Sequence, residues 1–309
     1  MQRVILDVDT GIDDALAISY AVRSSELDVV GITTCFGNVP VEHATCNTNY
    51  VLEKLGADIP VAKGAEQPLF RPMVKGYSTH FHGDNGLANL DIPAMTSRIL
   101  PLSAARFIVE QVKAHPHDIV LVCAGSLTNL ALAIMQEPDI ARLFKRIVVM
   151  GGAISVPGNN QMHAEANIYA DPEAADYVFC SGAPITLVGL DVTMKTALNL
   201  QEVEGWRAKN TDLGQFLANI TKYYIGSYRK FYGDRDHCAL HDPLAVAVAI
   251  DPDLVTRQPM YVRVDLEGIY SYGRTIADLR KRNANQPNVE VCIDVDADRF
   301  KTHFMKTVC

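Results

Sequence analysis

The chain has 309 residues, 48% hydrophobic and 21% charged, the composition of an ordinary globular protein. It lacks any apolar run near the ~20 residues that a membrane helix needs, so a membrane protein is not expected. With a net charge of −8 and no clustered basic stripe it would repel a nucleic-acid polymer, and small-molecule partners are expected instead.

The first predicted strand covers residues 4–6. It begins so close to Met1 that no room is left for an export signal, and a cytoplasmic protein is expected. The seven cysteines agree: they are scattered and contain no C-x-x-C pair, unlike a disulfide framework or a thiolate zinc site. A helix over 14–22, a strand over 29–34 and a helix over 41–55 follow. Residues 64–101 then show no periodicity, and a loop of that length reads as a candidate active-site flap. Helices over 104–113, 127–135 and 172–180 alternate with strands over 119–123, 147–150 and 185–188, each strand apolar almost throughout. This alternation predicts an α/β fold with a Rossmann-like open, mostly parallel sheet and flanking helices. After Asp191 the pattern gives helices over 201–209, 213–232 and 243–250, then strands over 261–264, 268–276 and 289–295. The last three predict an antiparallel C-terminal extension. With no linker-like stretch and no repeat, residues 1–309 are expected to form one domain.

Four acids, Asp7, Asp9, Asp13 and Asp14, fall within eight residues at the end of the first strand, where open α/β sheets place their ligand sites. Held close, such carboxylates must either protonate or recruit a cation, and oxygen ligands favour calcium or magnesium. Helix capping accounts for two of the acids but not for four.

The run Asp7-Val8-Asp9-Thr10-Gly11-Ile12-Asp13-Asp14-Ala15 resembles the signature of the inosine-uridine nucleoside hydrolase family. Further blocks resemble that family in order: Gly37-Asn38, His82-Gly83, Leu127-Thr128-Asn129, Met150-Gly151-Gly152, Gly158-Asn159, Ala164-Glu165-Ala166-Asn167, Asp171 to Ala175, Gly189-Leu190-Asp191 and His241-Asp242-Pro243. The resemblance implies hydrolysis of the N-glycosidic bond of ribonucleosides to ribose and free base, using a calcium-bound water. The implied calcium ligands are Asp9, Asp14, the main-chain carbonyl of Ala124 and Asp242, with Asp9 also the catalytic base. Ala124 stands where the family often has threonine, a change that leaves a main-chain ligand intact. Asp13, Asn38, Asn159, Glu165 and Asn167 are the implied ribose-binding residues, with Asp7 and Met150 supporting them. Ala166 replaces a phenylalanine common in the family, so a roomier or differently walled pocket is expected and base preference transfers less directly.

Departure of the base needs assistance, for which His241 is the first candidate acid, since histidine titrates near neutrality, and His82 the second. His80 reads as exposed. Tyr224, Tyr228 and Tyr232 recur every four residues on one helix face, which suits core packing as well as a binding wall. The resemblance implies that His82, Tyr224 and Tyr228 bind the base. It also implies a homodimer or homotetramer. Two other readings compete. Leu6-Asp7-Val8-Asp9 also resembles the strand-end pair of haloacid-dehalogenase-like phosphohydrolases, but Gly11 and the pair Asp13-Asp14 depart from that pattern. A non-catalytic nucleoside-binding protein or calcium sensor would keep the pocket without turnover.

Overall fold

Strands apolar on both faces belong inside a sheet covered by helices on each side, and that is how the apolar runs are used here. The computed structural model describes residues 1–74, 76–95, 98–233, 235–280 and 285–309. Its strands are β1 (Gln2–Val8), β2 (Leu27–Thr34), β3 (Val61–Lys63), β4 (Val120–Cys123), β5 (Arg146–Met150), β6 (Ile185–Val188), β7 (Ala197–Asn199), β8 (His237–Ala239), β9 (Val255–Met260), β10 (Val262–Val264), β11 (Thr275–Ala277) and β12 (Val289–Val295). The helices are α1 (Ile12–Arg23), α2 (Val41–Leu55), α3 (Thr79–His82), α4 (Ala104–Ala114), α5 (Thr128–Gln136), α6 (Ala166–Ala170), α7 (Pro172–Phe179), α8 (Leu190–Thr193), α9 (Leu200–Ala208), α10 (Asp212–Tyr232), α11 (His241–Ile250) and α12 (Ala297–Thr307).

Among the described residues the main sheet has eight strands in the order β3-β2-β1-β4-β5-β6-β12-β9. All neighbours are parallel except β12 and β9. Alternation along β1 sends Val4, Leu6 and Val8 into one core, with α1, α2, α10 and α11, and Ile5 into the other, with α4, α5 and α7. The strand order reverses between β1 and β4, so the crevice at their C-terminal ends is the place for a ligand.

The C-terminal region has the expected antiparallel pairing, β10 with β11 and β12 with β9, but differs in three details. Residues 289–295 extend the main sheet in parallel beside β6, and the antiparallel edge is β9, which the sequence left unassigned. Its stretch Thr256-Arg257-Gln258-Pro259 is polar and carries a proline, both tolerated on an edge strand. The expected strand over 268–276 shrinks to β11, because Asp265 accepts hydrogen bonds from Gly268 N (2.8 Å) and the Ser271 hydroxyl and folds those residues into a turn. Helix α12 was also not anticipated; few of its residues are buried, with Phe300 and Phe304 as its inward anchors.

Residues 64–101 are held by specific contacts, apart from 75, 96 and 97, which lie outside the described residues. Leu69 N donates to Asp171 (2.9 Å), Ser78 N to the Asn38 carbonyl (2.9 Å), and Ile12 N to His82 Nδ1 (3.0 Å). Among the described residues no helix is long and apolar enough to cross a membrane.

Candidate active site

The chain leaves β1 carrying Asp9 and enters α1 at Gly11, whose N–H donates to Asp14 Oδ2 at 2.9 Å and caps the helix. That turn aims three carboxylates at the crevice. Helix α11 packs against α1 and brings Asp242 in its own first turn to the same place. One oxygen each of Asp13, Asp14 and Asp242 lies within 4.8 Å of the others, and all three residues are buried. Among the described residues Asp13 Oδ1 has no donor within hydrogen-bond distance. Burial, followed by the charges of Asp9 and Asp13, holds Asp14 well above the usual carboxylate range. Asp242 is raised in the same way by burial and then by Asp13, Asp14 and Asp9. Burial also lifts Asp13 to about 6. Mutually repelling buried acids of this kind are stabilised by a cation, and the donors are all hard oxygens, so the residues fit a divalent metal.

Asp9 sits beside this cluster with both oxygens held by Asn38. Its Oδ2 accepts from Asn38 N at 2.7 Å and its Oδ1 from Asn38 Nδ2 at 2.9 Å, while the same amide reaches Asp14 Oδ2 at 3.2 Å. Asp7 is on the far side of the strand end, where Oδ1 accepts from Thr33 Oγ1 (2.6 Å) and Asn129 Nδ2 (2.8 Å), and burial raises it to about 6.

The next strands complete the rim. Ala124 follows β4 and Met150 ends β5; their carbonyls both accept from Asn167 Nδ2, at 3.1 and 3.2 Å. Glu165 caps α6, accepting from Asn167 N (2.9 Å), Ile168 N (3.1 Å) and Gly152 N (3.1 Å). Asn159 Oδ1 accepts from Ala166 N at 2.9 Å. These residues line a cleft together with Asp13, Asn38, His82, Tyr224, Tyr228, His241 and Asp242. Asp7, Asp9 and Asp14 are fully buried behind its wall.

The other wall is aromatic. His82 stacks on Tyr224 with ring centroids 5.2 Å apart, and Phe81 meets Tyr228 edge to face at 5.6 Å. Tyr224 and Tyr228 are both buried and both border the cleft, so the tyrosine face of α10 packs and lines a pocket at once. Tyr224 donates to Asp13 Oδ2 at 3.4 Å. His241 bonds on both sides, Nε2 to the Tyr228 hydroxyl (2.8 Å) and Nδ1 to Thr193 Oγ1 (2.7 Å). Burial pushes its imidazole down to about 4, so the ring is neutral at pH 7 rather than titrating near neutrality.

Phe81, Asn160 and Thr193 belong to the site and were not singled out from the sequence. Phe81 and Asn160 stand next to named residues in stretches without periodicity. Thr193 lies two residues past the block Gly189-Leu190-Asp191 and gives no signal until α8 is folded against α11.

Residues 4–302 match the family described as inosine-uridine preferring nucleoside hydrolase. The chain is 38% identical to uridine nucleosidase 1 of Arabidopsis thaliana, over 93% of this chain and 85% of that protein. It is 35% identical to the pyrimidine-specific ribonucleoside hydrolase RihA of Citrobacter koseri, over 96% and 95%. Among solved structures, the purine-preferring ribonucleoside hydrolase from Gardnerella vaginalis is similar with a TM-score of 0.93 at 42% identity, covering 99% of this chain and 98% of that one.

Proposed function

The chain belongs to the inosine-uridine preferring nucleoside hydrolase family, and from that premise we propose how its residues share the work of a ribonucleoside hydrolase. The enzyme cleaves the N-glycosidic bond of ribonucleosides to give ribose and free base. The observation that carries the division of labour is the meeting of Asp13 and Asp14 with Asp242, which come from opposite ends of the chain.

Calcium would suit these oxygens, and the residues that would hold it are Asp9, Asp14, Ala124 through its carbonyl, and Asp242. Bound there it would supply Lewis-acid polarisation of the attacking water and a fixed anchor for the ribose diol. Asp9 takes the proton of the attacking water, and the two hydrogen bonds from Asn38 set the direction its carboxylate faces. Asp13, Asn38, Asn159, Glu165 and Asn167 grip the sugar. The Glu165 carboxylate, fixed by three backbone N–H groups, supports positive charge as it develops on the ring. Met150 holds Asn167 in place, and Asp7 ties the end of β1 to Thr33 and Asn129. His82, Tyr224 and Tyr228 bind the base, with Phe81 as a further wall. His241 assists the leaving base as a neutral imidazole acting with the Tyr228 hydroxyl. The chain works as one domain over 1–309, in the cytoplasm, as a homodimer or homotetramer serving nucleoside salvage.

A panel of inosine, adenosine, guanosine, uridine and cytidine tests this reading. Release of free base and ribose from at least one supports it; binding without release would make the protein a nucleoside sensor. The approach of Gly37 to Asp9 offers a second test. An added Cβ there would lie 1.9 Å from Asp9 Oδ2, a contact that only displacement of the carboxylate relieves. Gly37→Ala is therefore expected to cut kcat by about 10²-fold, the scale of a misplacement of ~1 Å, and to lower stability by about 1–3 kcal/mol, measured by thermal melt. Unaltered kcat would remove Asp9 from its assigned role.

A further inference from the structure

We infer that Thr193 is a positioning residue that fixes His241 in the tautomer carrying its proton on Nε2, and so turns the hydroxyl hydrogen of Tyr228 away from the imidazole and toward the cleft. The inference rests on the hydrolase reading only for its kinetic consequences; the tautomer itself follows from hydrogen-bond polarity.

Thr193 is fully buried in α8. Among the described residues, its hydroxyl has His241 Nδ1 as its one hydrogen-bond partner, at 2.7 Å. A neutral imidazole has one N–H and one bare nitrogen. If Nδ1 carried the proton, the Thr193 oxygen would accept it, and the hydroxyl hydrogen would be left buried with no acceptor, a state that costs the desolvation of that group. With Thr193 donating to bare Nδ1, the hydrogen left over is that of Tyr228, which borders the cleft, where solvent or substrate can accept it. The proton then sits on Nε2 and is donated to the Tyr228 oxygen 2.8 Å away. Tyr228, having accepted from the ring, has its own hydrogen free to donate elsewhere.

Tyr224 donates to Asp13 Oδ2 at 3.4 Å, so its own hydrogen is directed away from Tyr228. The two ring bonds run from Thr193 through His241 to Tyr228. Tyr228 lines the cleft, and a bound base with an acceptor atom can take its hydrogen. The opposite tautomer would leave Tyr228 donating to the ring, with only lone pairs toward the base.

Nitrogen NMR of histidine-labelled full-length protein, with the His241 signals assigned by their loss in His241→Gln, reads the tautomer directly. The expected spectrum has a protonated Nε2 and a bare, hydrogen-bonded Nδ1; a proton on Nδ1 overturns the inference. Thr193→Val keeps the shape and removes the donor. It should abolish the hydrogen-bond shift at Nδ1 and lower kcat for inosine and uridine about tenfold, with KM little changed. Hydrolysis of p-nitrophenyl riboside, whose leaving group needs no donor, should stay within about twofold, and Thr193→Ser should restore both the shift and the rate. Equal loss on both substrate types, or no loss on either, overturns the positioning role. A wild-type protein that releases no base would defeat the functional reading alone, because the ring spectrum needs no turnover.

Discussion

Asp242→Asn is expected to lower kcat/KM for ribonucleoside hydrolysis by about 10³-fold, since Lewis-acid stabilisation is worth several kcal/mol and each 1.36 kcal/mol is about a factor of ten. Asp242 is one of three buried carboxylates whose oxygens crowd together, and the amide keeps its shape while removing its charge. The expected loss tracks metal occupancy, measured by equilibrium dialysis in the same samples. A second readout separates charge from packing. Asp242 is disfavoured as an anion first by burial and then by Asp13, Asp14 and Asp9, so in chelator the variant relieves repulsion that the wild type suffers. Its metal-free melting temperature should be no lower than that of the metal-free wild type. Full metal occupancy with normal turnover would show that Asp242 lies outside the metal site.

His241→Gln is expected to reduce kcat for inosine and uridine by about 10²–10⁴-fold, the usual contribution of a positioned proton donor. The structure changes how that loss should look. The imidazole is buried and pushed down to about 4, so its part is played by the neutral ring in contact with Tyr228, as a fixed dipole where charge develops on the departing base. The loss should therefore fall on substrates with poor leaving groups and spare p-nitrophenyl riboside. Equal loss on both would point to collapse of the site around Tyr228, and an unchanged rate would leave departure of the base to His82.

The parallel sheet was legible in the sequence because buried strands are apolar without interruption; residues 4–6, 29–34, 147–150 and 185–188 lie in observed strands, and 119–123 misses β4 by one residue at its start. Strand β9 was hidden because an edge strand with Pro259 has no such pattern, and α12 because Phe300 and Phe304 alone mark its inner face. The acid cluster was legible for an electrostatic reason: Asp7, Asp9, Asp13 and Asp14 are too close in sequence to avoid one another. Family resemblance supplied Asp242, which is distant in sequence and meets them only because α11 packs on α1. Spacing left Tyr224 and Tyr228 open between packing and binding, and in the fold both are packed and both line the cleft. Thr193 had no such marker. Its role depends on a 2.7 Å contact across 48 residues, and neither periodicity nor composition records a hydrogen-bond direction. The phosphohydrolase alternative rested on Asp7 and Asp9 acting as a pair, yet Asp7 faces Thr33 and Asn129 rather than the cleft.

The central claim is that this carboxylate cluster holds calcium for the cleavage of ribonucleosides. It is tested most directly by following release of free base from inosine and uridine with the protein as purified, after chelation, and after calcium is restored, with bound metal measured in each sample. Turnover should be lost with the metal and return with calcium in proportion to occupancy of the site. Undiminished base release from protein shown to be free of metal would contradict the account.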